Sequence, residues 1–213
     1  YYLMFITVTF KSNIITCQKK LFTKRKCNIV FPSEVSSIWL NGTNKPLLDK
    51  PRILYIGRLK IEKGIFSLTK ILNEAEIDFE LSIVGDGENK FNNQDIKNKK
   101  NIFHTYQNDT NTLIKFYDNS NIFILPSYTE AHPKVVDEAL SRLRPVVIFK
   151  EIDHIINNRK GIFKANRELK SLLKTIEYII KNYSFVQKEI RENKLPTKKK
   201  FISDMVNALN QDL

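Results

Sequence analysis

The feature that most constrains the fold is a regular alternation of short apolar runs and amphipathic stretches between residues 52 and 149. Runs that resemble strands occur at 52–56, 79–85, 101–105, 121–125 and 146–149. Between them, the segments 63–76, 112–119 and 133–143 place apolar side chains at helical spacing. Strands that alternate with helices pair in parallel and are covered on both faces. The alternation therefore predicts an α/β fold with a Rossmann-like parallel sheet and helices on both faces.

The remaining segments are less regular. Residues 1–31 predict a strand at about 4–9, a helix at about 11–20 and a second strand at 27–31. Residues 32–51 have no period and contain three prolines and an Asn-Gly pair, so we interpret them as a connector in which Trp39 packs against a neighbour. After Gly161, helices are expected at 167–183, 184–193 and 197–213.

Composition limits the classes of function. The net charge of +12 raises the question of nucleic acid or an anionic membrane surface. The densest basic runs contain no interleaved aromatic side chains, so nucleic-acid binding is not expected, whereas peripheral association with a membrane stays open. Cys17 and Cys27 have no metal-ligand spacing and are expected to be free thiols in a reducing compartment. No apolar run reaches the length of a membrane span, and we expect a cytoplasmic location, with the inner face of the membrane as the alternative.

In an open α/β sheet, ligands bind at the carboxyl ends of the strands, so the loops at 57–64 and 126–133 are of most interest. Gly57 ends a strand, Arg58 follows it, and Lys63 precedes the next helix. An arginine fork and a lysine point charge around one such loop suit a diphosphate. The alternative is that both are ordinary solvated charges.

A second candidate region surrounds the helix that begins near Pro133. If Pro133 takes the first helical position, the amides of the next two residues point out of the helix N-terminus and form an anion site. Glu130 at this end would repel a phosphate in direct contact, so it is better suited to ligand hydroxyls. Glu138 lies inside the helix; it either pairs with Lys134 or Arg142 or holds a ribose diol.

Several stretches occur together and in order: ILYIGRLKIEKG, LSIVGDGE, FYDNSNIFILPSYTEAHPKVVDEAL and RPVVIF. Over about residues 50–165 they resemble the donor-binding, C-terminal half of retaining glycosyltransferases of family 4, which have the GT-B fold. Glu130 and Glu138 match the E-x7-E motif of that family. The resemblance implies catalytic roles for Arg58 and Lys63 at the diphosphate and for Glu130 beside the donor sugar, with Glu138 at the ribose.

The resemblance also implies further donor-binding positions, with Asn108 near the nucleobase. They are Gly57, Asn108, His132, Pro133, Lys134 and Val135. Ala131-His132-Pro133 replaces the usual Gly-Phe-Gly, which removes one amide donor. Arg144 stands where a glycine usually precedes the proline. His104 and His154 are expected to be structural or surface residues. No cofactor or metal is implied, and the sequence has no DxD motif.

Together these features predict the donor half of a glycosyltransferase that uses a nucleoside diphosphate sugar, such as a UDP- or GDP-sugar, and a glycan or lipid-linked acceptor. The expected organisation is a remnant of the acceptor domain (1–31), a linker (32–51), the donor domain (52–195) and a C-terminal helix returning toward the acceptor domain (196–213). The alternatives are a degenerate nucleotide-binding module without turnover and a basic nucleic-acid adaptor. Intact candidate residues argue against degeneration.

Overall fold

The computed structural model of the chain describes residues 15–16, 28–30, 35–43, 45–87 and 102–210. Two short strands, β1 (Ile15–Thr16) and β2 (Asn28–Ile29), pair in parallel. β1 lies within the segment expected to be helical, and this prediction is wrong there: both of its residues are β-branched, which favours extended backbone. β2 falls within the strand expected at 27–31. The strand predicted at about 4–9 lies outside the described residues.

The main sheet contains six parallel strands, which confirms the predicted fold class. They are β3 (Arg52–Ile56), β4 (Glu80–Val84), β5 (Ile102–Thr105), β6 (Ile122–Leu125), β7 (Val146–Phe149) and β8 (Ile162–Ala165). Their order in the sheet is β5-β4-β3-β6-β7-β8. The chain thus starts at the centre, runs to one edge, and returns across β3 to the other. This reversal brings the carboxyl ends of β3 and β6 side by side.

Seven α-helices are described, and they cover both faces of the sheet. They are α1 (Ser37–Leu40), α2 (Ile65–Asn73), α3 (Thr110–Asn119), α4 (Lys134–Ser141), α5 (Leu169–Lys181), α6 (Tyr183–Ile190) and α7 (Lys198–Asn210). Two 3₁₀ helices occur at Ile61–Lys63 and Lys150–Ile156. The helices predicted after residue 52 are present within a few residues of their expected bounds. The sequence patterns did not indicate β8, α1 or either 3₁₀ helix.

Alternate residues of the central strands belong to two separate buried clusters. Ile53 and Tyr55 of β3 join a cluster that includes residues of α2 and α5. Leu54, between them, joins a second cluster that includes residues of α3, α4 and α6. Because successive side chains of a strand point to opposite faces, strands that are apolar at every position are buried on both sides. This two-sided core fixes the strand ends that position the candidate site.

The connector packs firmly against the second cluster. Trp39 of α1 is 4% exposed, and its ring meets the edge of Tyr117 with centroids 5.5 Å apart. The buried guanidinium of Arg142 donates to the carbonyl oxygens of Trp39, Asn41 and Gly42 at 3.0, 2.6 and 2.8 Å. The expectation that Trp39 packs against a neighbour is confirmed.

Candidate functional site

The loops that follow β3 and β6 are in direct backbone contact at the carboxyl edge of the sheet. The amide of Tyr128 donates to the carbonyl of Glu62 at 3.0 Å. Gly64 has φ +69°, and a Cβ at this position would lie 1.9 Å from the carbonyl oxygen of Pro126. Only glycine combines this conformation with so close an approach. The sequence therefore brings loop 57–64 and loop 126–133 together as one surface.

Lys63 and Glu130, predicted on separate grounds, contact each other. Lys63 Nζ lies 2.7 Å from Glu130 Oε1, and the two side chains are 20% and 11% exposed. Ser127 Oγ donates to the same carboxylate oxygen at 2.7 Å. The carboxylate thus has a cation and a hydroxyl as partners in a partly shielded position, where charge interactions are stronger than on the open surface.

Arg58 lies on the same loop but is exposed to solvent. Its backbone is fixed by a hydrogen bond, because the hydroxyl of buried Tyr55 donates to the Arg58 carbonyl at 2.7 Å. Burial raises the pKa of the Tyr55 hydroxyl well above its ordinary value, so it remains a donor. The missing side chain of Gly85 allows the neighbouring loop to approach, since a Cβ on Gly85 would lie 1.9 Å from the Gly57 carbonyl oxygen. The guanidinium of Arg58 therefore projects from a well-supported backbone.

The start of α4 differs by one residue from the prediction. Pro133 is the residue before the helix, with φ −76° and ψ 114°, and Lys134 takes the first helical position. The extended ψ of Pro133 excludes this residue from the helix, which it immediately precedes. The amide of Val136 donates to the Pro133 carbonyl at 3.1 Å. The preceding amides, of Lys134 and Val135, belong to the turn in which helix donors lack intrahelical acceptors.

Glu138 is the fifth residue of α4, with only 7% of its surface exposed. The hydroxyl of Tyr117 donates to its Oε2 at 3.2 Å, and Lys134 Nζ lies 3.7 Å from its Oε1. Arg142 instead pairs with Asp118 at 2.6 Å. Burial raises the pKa of the Glu138 carboxyl, and the charge of Lys134 opposes that rise. A buried carboxylate with one neutral and one distant cationic partner can accept further hydrogen bonds from a ligand.

The imidazole of His132 contacts a buried carboxylate. Its Nε2 lies 3.0 Å from Oδ2 of Asp137, whose side chain is fully buried. Arg159 NH1 donates to the other carboxylate oxygen of Asp137 at 2.5 Å. Neither Asp137 nor Arg159 was indicated by the sequence patterns, because the contacts depend on the tertiary fold. The three side chains form a connected group next to the first turn of α4.

The remaining predicted residues are separated from this group. Asn108 is exposed after β5, and its backbone amide donates to the side-chain oxygen of Gln107 at 3.1 Å. His104 is exposed, with Nε2 3.0 Å from the Gly85 carbonyl. His154 donates from Nε2 to the Glu130 carbonyl at 2.7 Å, so it supports the backbone of a candidate site residue.

Comparison with known proteins gives a family match over this whole region. The model of the family described as glycosyl transferases group 1 matches residues 42–196. The chain belongs to this family. The match includes the loops, the E-x7-E segment and the helices that support them.

Two curated relatives are similar to this chain over most of its length. An uncharacterised glycosyltransferase of Haemophilus influenzae is 26% identical over 191 residues, covering 84% of this chain and 54% of the relative. The capsular polysaccharide biosynthesis glycosyltransferase CapM of Staphylococcus aureus is 28% identical over 178 residues, covering 76% and 45%. The chain thus spans about half the length of these relatives.

The fold of this chain is shared with solved structures. The structure of Anabaena Alr3699/HepE in complex with UDP-glucose aligns with a TM-score of 0.71 at 12% identity, covering 92% of this chain and 63% of that one. At this identity, the likeness concerns the fold alone. The family match and the likeness together establish a glycosyltransferase domain of the GT-B type.

One supporting residue of the candidate site gave no signal in the sequence. The Arg167 guanidinium donates to the carbonyls of Pro126 and Ser127 at 2.9 and 3.3 Å. It stacks on the Tyr128 ring, 3.9 Å from the centroid, and faces Phe149 at 4.3 Å. Arg167 follows β8, which the patterns also did not indicate. It fixes the loop that carries Glu130.

Within the described ranges, no three His, Cys, Asp or Glu side chains are grouped to hold a metal ion. Among the helices described, none is both long enough and apolar enough to cross a bilayer.

Proposed function

We propose that this chain is the donor-binding half of an enzyme that transfers a sugar, with retention of configuration, from a nucleoside diphosphate to an acceptor hydroxyl. The donor is a UDP- or GDP-sugar, and the acceptor is a glycan or a lipid-linked glycan. The family membership supports the transferase class. The donor and the acceptor are inferred from the site residues and the relatives, and retention is inferred from the resemblance to retaining glycosyltransferases of family 4.

The observation that carries the proposal is the contact between Lys63 and Glu130 at the meeting point of two loops. It places a cation suited to a phosphate and a carboxylate suited to sugar hydroxyls within one ligand's reach. Arg58 stands exposed on the same loop, and the amides of Lys134 and Val135 begin α4. A nucleoside diphosphate sugar presents its diphosphate to these cations and amides and its sugar hydroxyls to Glu130.

In the proposed reaction, the bond between the anomeric carbon and the diphosphate oxygen breaks. The acceptor oxygen forms its new bond to the anomeric carbon on the same face of the sugar, and its hydroxyl proton passes to the departing diphosphate oxygen. Negative charge grows on the departing diphosphate, and we assign its stabilisation to Arg58, Lys63 and the N-terminus of α4 rather than to a metal ion. Glu130 accepts hydrogen bonds from the sugar, and Glu138 accepts them from the ribose diol.

The relatives support the substrate classes by analogy. The solved complex of Alr3699/HepE contains UDP-glucose, and CapM is described as acting in capsular polysaccharide biosynthesis. A net charge of +12 suits work beside an anionic membrane surface, where lipid-linked acceptors reside. We therefore place the reaction in the cytoplasm, at or near the inner face of the membrane, in the assembly of a surface glycan.

The test is isothermal titration calorimetry of the chain with UDP and with GDP in the presence of EDTA. One of the two should bind. Substitution of Arg58 or Lys63 by alanine should weaken its binding by roughly 1.5–3 kcal/mol, the range for hydrogen bonds to charged groups. Lys63→Ala should have the larger effect, because it also leaves the Glu130 carboxylate facing the diphosphate without its cation.

The matched control is Lys181→Ala on α5, which removes an exposed lysine that also pairs with a glutamate, Glu177, at 2.6 Å. It should leave affinity unchanged. Binding of neither nucleotide would contradict the proposed donor, and equal losses in all three variants would mean that the effect is one of overall charge. Binding that the two site variants leave intact would favour a different phosphate site.

A further inference from the structure

A cavity adjoins the candidate site on the side of α4 that faces α7. Its volume is about 590 Å³, within the usual range of roughly 300–1,000 Å³ for small-molecule sites. One side of the cavity is lined by His132, Asp137 and Arg159, which lie in or near α4 and after the second 3₁₀ helix. The other side is lined by Phe201, Asp204 and Asn207 of α7. The cavity thus reaches His132, two residues after Glu130 in the sequence, and α7 forms one of its walls.

The α7 wall is attached to the rest of the structure. Asn28 of β2 donates from Nδ2 to the Ala208 carbonyl at 3.3 Å. Val35 donates to the Pro196 carbonyl at 2.8 Å, and Val35 forms a parallel bridge with Thr197 just before the helix starts. These contacts keep α7 opposite His132.

The charges that line the cavity are largely paired with each other. Arg159 NH1 contacts Asp137 at 2.5 Å, and Lys200 Nζ contacts Asp204 at 2.6 Å. Two of the three lining cations that the structure describes, the third being Lys194, therefore already face a carboxylate. This compensation favours a neutral ligand over an anion.

The uncharged groups suit a sugar ring. Asn157 and Asn207 carry amides that both donate and accept hydrogen bonds, as sugar hydroxyls do. Phe201 presents an apolar ring that can cover the C–H face of a sugar. The chemistry of the lining therefore fits a neutral saccharide.

The group at His132 fixes which ring nitrogen carries the proton. Arg159 is a donor only, and it occupies Oδ1 of Asp137. The carboxylate accepts only, so Nε2 of His132 must bear the hydrogen that reaches Oδ2. In the neutral ring Nδ1 is then an acceptor. Asp137 and Arg159 act through His132 and need not touch a ligand themselves.

We propose that Asp137 and Arg159 are positioning residues that fix the tautomer of His132, and that this imidazole recognises the sugar ring of a nucleotide-sugar from the wall of the cavity. The inference rests on the proposed function for the identity of the ligand. It extends the site from the loop surface into the space between α4 and α7.

The decisive variant is Asp137→Asn, which keeps the side-chain shape. Arg159 can pair only with the amide oxygen, so the amide nitrogen must face His132 Nε2 and donate to it. The histidine proton should then move to Nδ1, a change that the imidazole ¹⁵N chemical shifts report directly. The ratio of nucleotide-sugar to plain diphosphate affinity should fall about fivefold to tenfold, as for loss of one hydrogen bond, while plain diphosphate affinity is unchanged.

The probes are UDP with UDP-glucose, UDP-galactose and UDP-N-acetylglucosamine, and GDP with GDP-mannose. The matched control is Asp118→Asn, which also breaks a shielded Asp–Arg pair, at 2.6 Å to Arg142, but has no contact with His132. It should lose stability without changing the tautomer or the affinity ratio. If Asp118→Asn lowers the ratio equally, the positioning role is wrong.

Two further outcomes would overturn the inference: an Nε2–H tautomer retained in Asp137→Asn, or an unchanged affinity ratio. If that variant does not fold, Arg159→Met and Arg159→Lys replace it, since this side chain lies nearer the surface, 14% exposed. Methionine should lower the ratio and lysine should partly restore it; equal ratios in both variants would refute the role. If no nucleotide binds to the wild-type chain, the proposed function fails, whereas the tautomer measurement still tests the positioning.

Discussion

The contact between Lys63 and Glu130 makes the sharpest prediction, because loss of the Glu130 carboxylate should lower stability without weakening diphosphate binding. The perturbations are Lys63→Met, which keeps the aliphatic stem, Glu130→Gln, and the double variant. The nitrogen and oxygen are 2.7 Å apart, and the side chains are 20% and 11% exposed. The pair is thus neither a surface pair nor a fully buried one.

The magnitude follows from this position. Exposed pairs contribute about 0.2–1 kcal/mol, and removal of one partner from a buried pair costs about 3–5 kcal/mol. Lys63→Met should therefore cost about 1–3 kcal/mol, since it removes the cation from a shielded carboxylate, which also accepts a hydrogen bond from Ser127. Glu130→Gln should cost less, about 0.5–1.5 kcal/mol, because the amide is neutral and the flexible lysine can turn to solvent. The double variant should lose about 1 kcal/mol less than the sum.

Ligand binding should separate the two variants. In the free protein the diphosphate must compete with Glu130 for Lys63 and meet the repulsion of the carboxylate. Glu130→Gln removes both obstacles, so plain diphosphate should bind equally or more tightly even though the fold is less stable. The nucleotide-sugar should lose affinity relative to the diphosphate. Lys63→Met should weaken both ligands.

The assays are urea unfolding at two salt concentrations and calorimetric titration with the tighter of UDP and GDP. Each kcal/mol should shift the melting temperature by roughly 2–4 °C for a chain of this size. Equal m-values would show that the unfolded states are comparable. Additive stability losses would refute the coupling, and weaker diphosphate binding in Glu130→Gln would refute the division of roles between the two residues.

Two further predictions concern the backbone and the buried carboxylate. Gly64→Ala should destabilise the fold, because φ is +69° and the new Cβ would lie 1.9 Å from the Pro126 carbonyl oxygen. Gly42→Ala, at φ +63° in open space, should cost less, since only the backbone strain of about 1–2 kcal/mol applies. Urea unfolding compares the two variants, and equal losses of stability would contradict the loop contact. For Glu138, burial raises the folded-state pKa above the ordinary 4.5, so ionisation of the carboxyl opposes folding. Wild-type stability should therefore fall as pH rises from about 4.5 through the raised pKa. Glu138→Gln should remove this fall and be more stable than wild type toward neutral pH. It should also bind diphosphate and nucleotide-sugar more weakly, to a similar degree. If the variant instead loses stability relative to wild type as pH rises, the sign of the pKa shift is wrong.

The sheet could be predicted because its strands carry their own signal. Runs such as 121–125 are apolar at every position, and the segments between them have a helical period, so local pattern and tertiary environment agree. β8 escaped prediction because it lies at the sheet edge, where Lys164 is exposed and the apolar run is interrupted. β1 was mistaken for helix because only two residues form it and the tertiary pairing with β2 decides their conformation.

The candidate site divides in the same way. Arg58, Lys63, Glu130 and Glu138 could be found because loop position and motif spacing are local properties of the sequence. The contact of Lys63 with Glu130 spans 67 positions, and no local pattern encodes it. The buried contact of Asp137 with Arg159 spans 22 positions across a 3₁₀ helix, so it too depended on the fold.

The grip of Arg142 on the connector defines how the protein can be shortened. A chain that began at Arg52 would leave the guanidinium without its three carbonyl acceptors and would open a hole where Trp39 meets Tyr117. Hydrogen bonds to charged groups contribute about 1.5–3 kcal/mol each, and loss of a buried tryptophan side chain costs about 3–5 kcal/mol. Such a loss is comparable to the whole stability of an ordinary domain, about 5–15 kcal/mol. We therefore expect a piece that folds by itself to begin before α1, and a chain trimmed at β3 to be unstable.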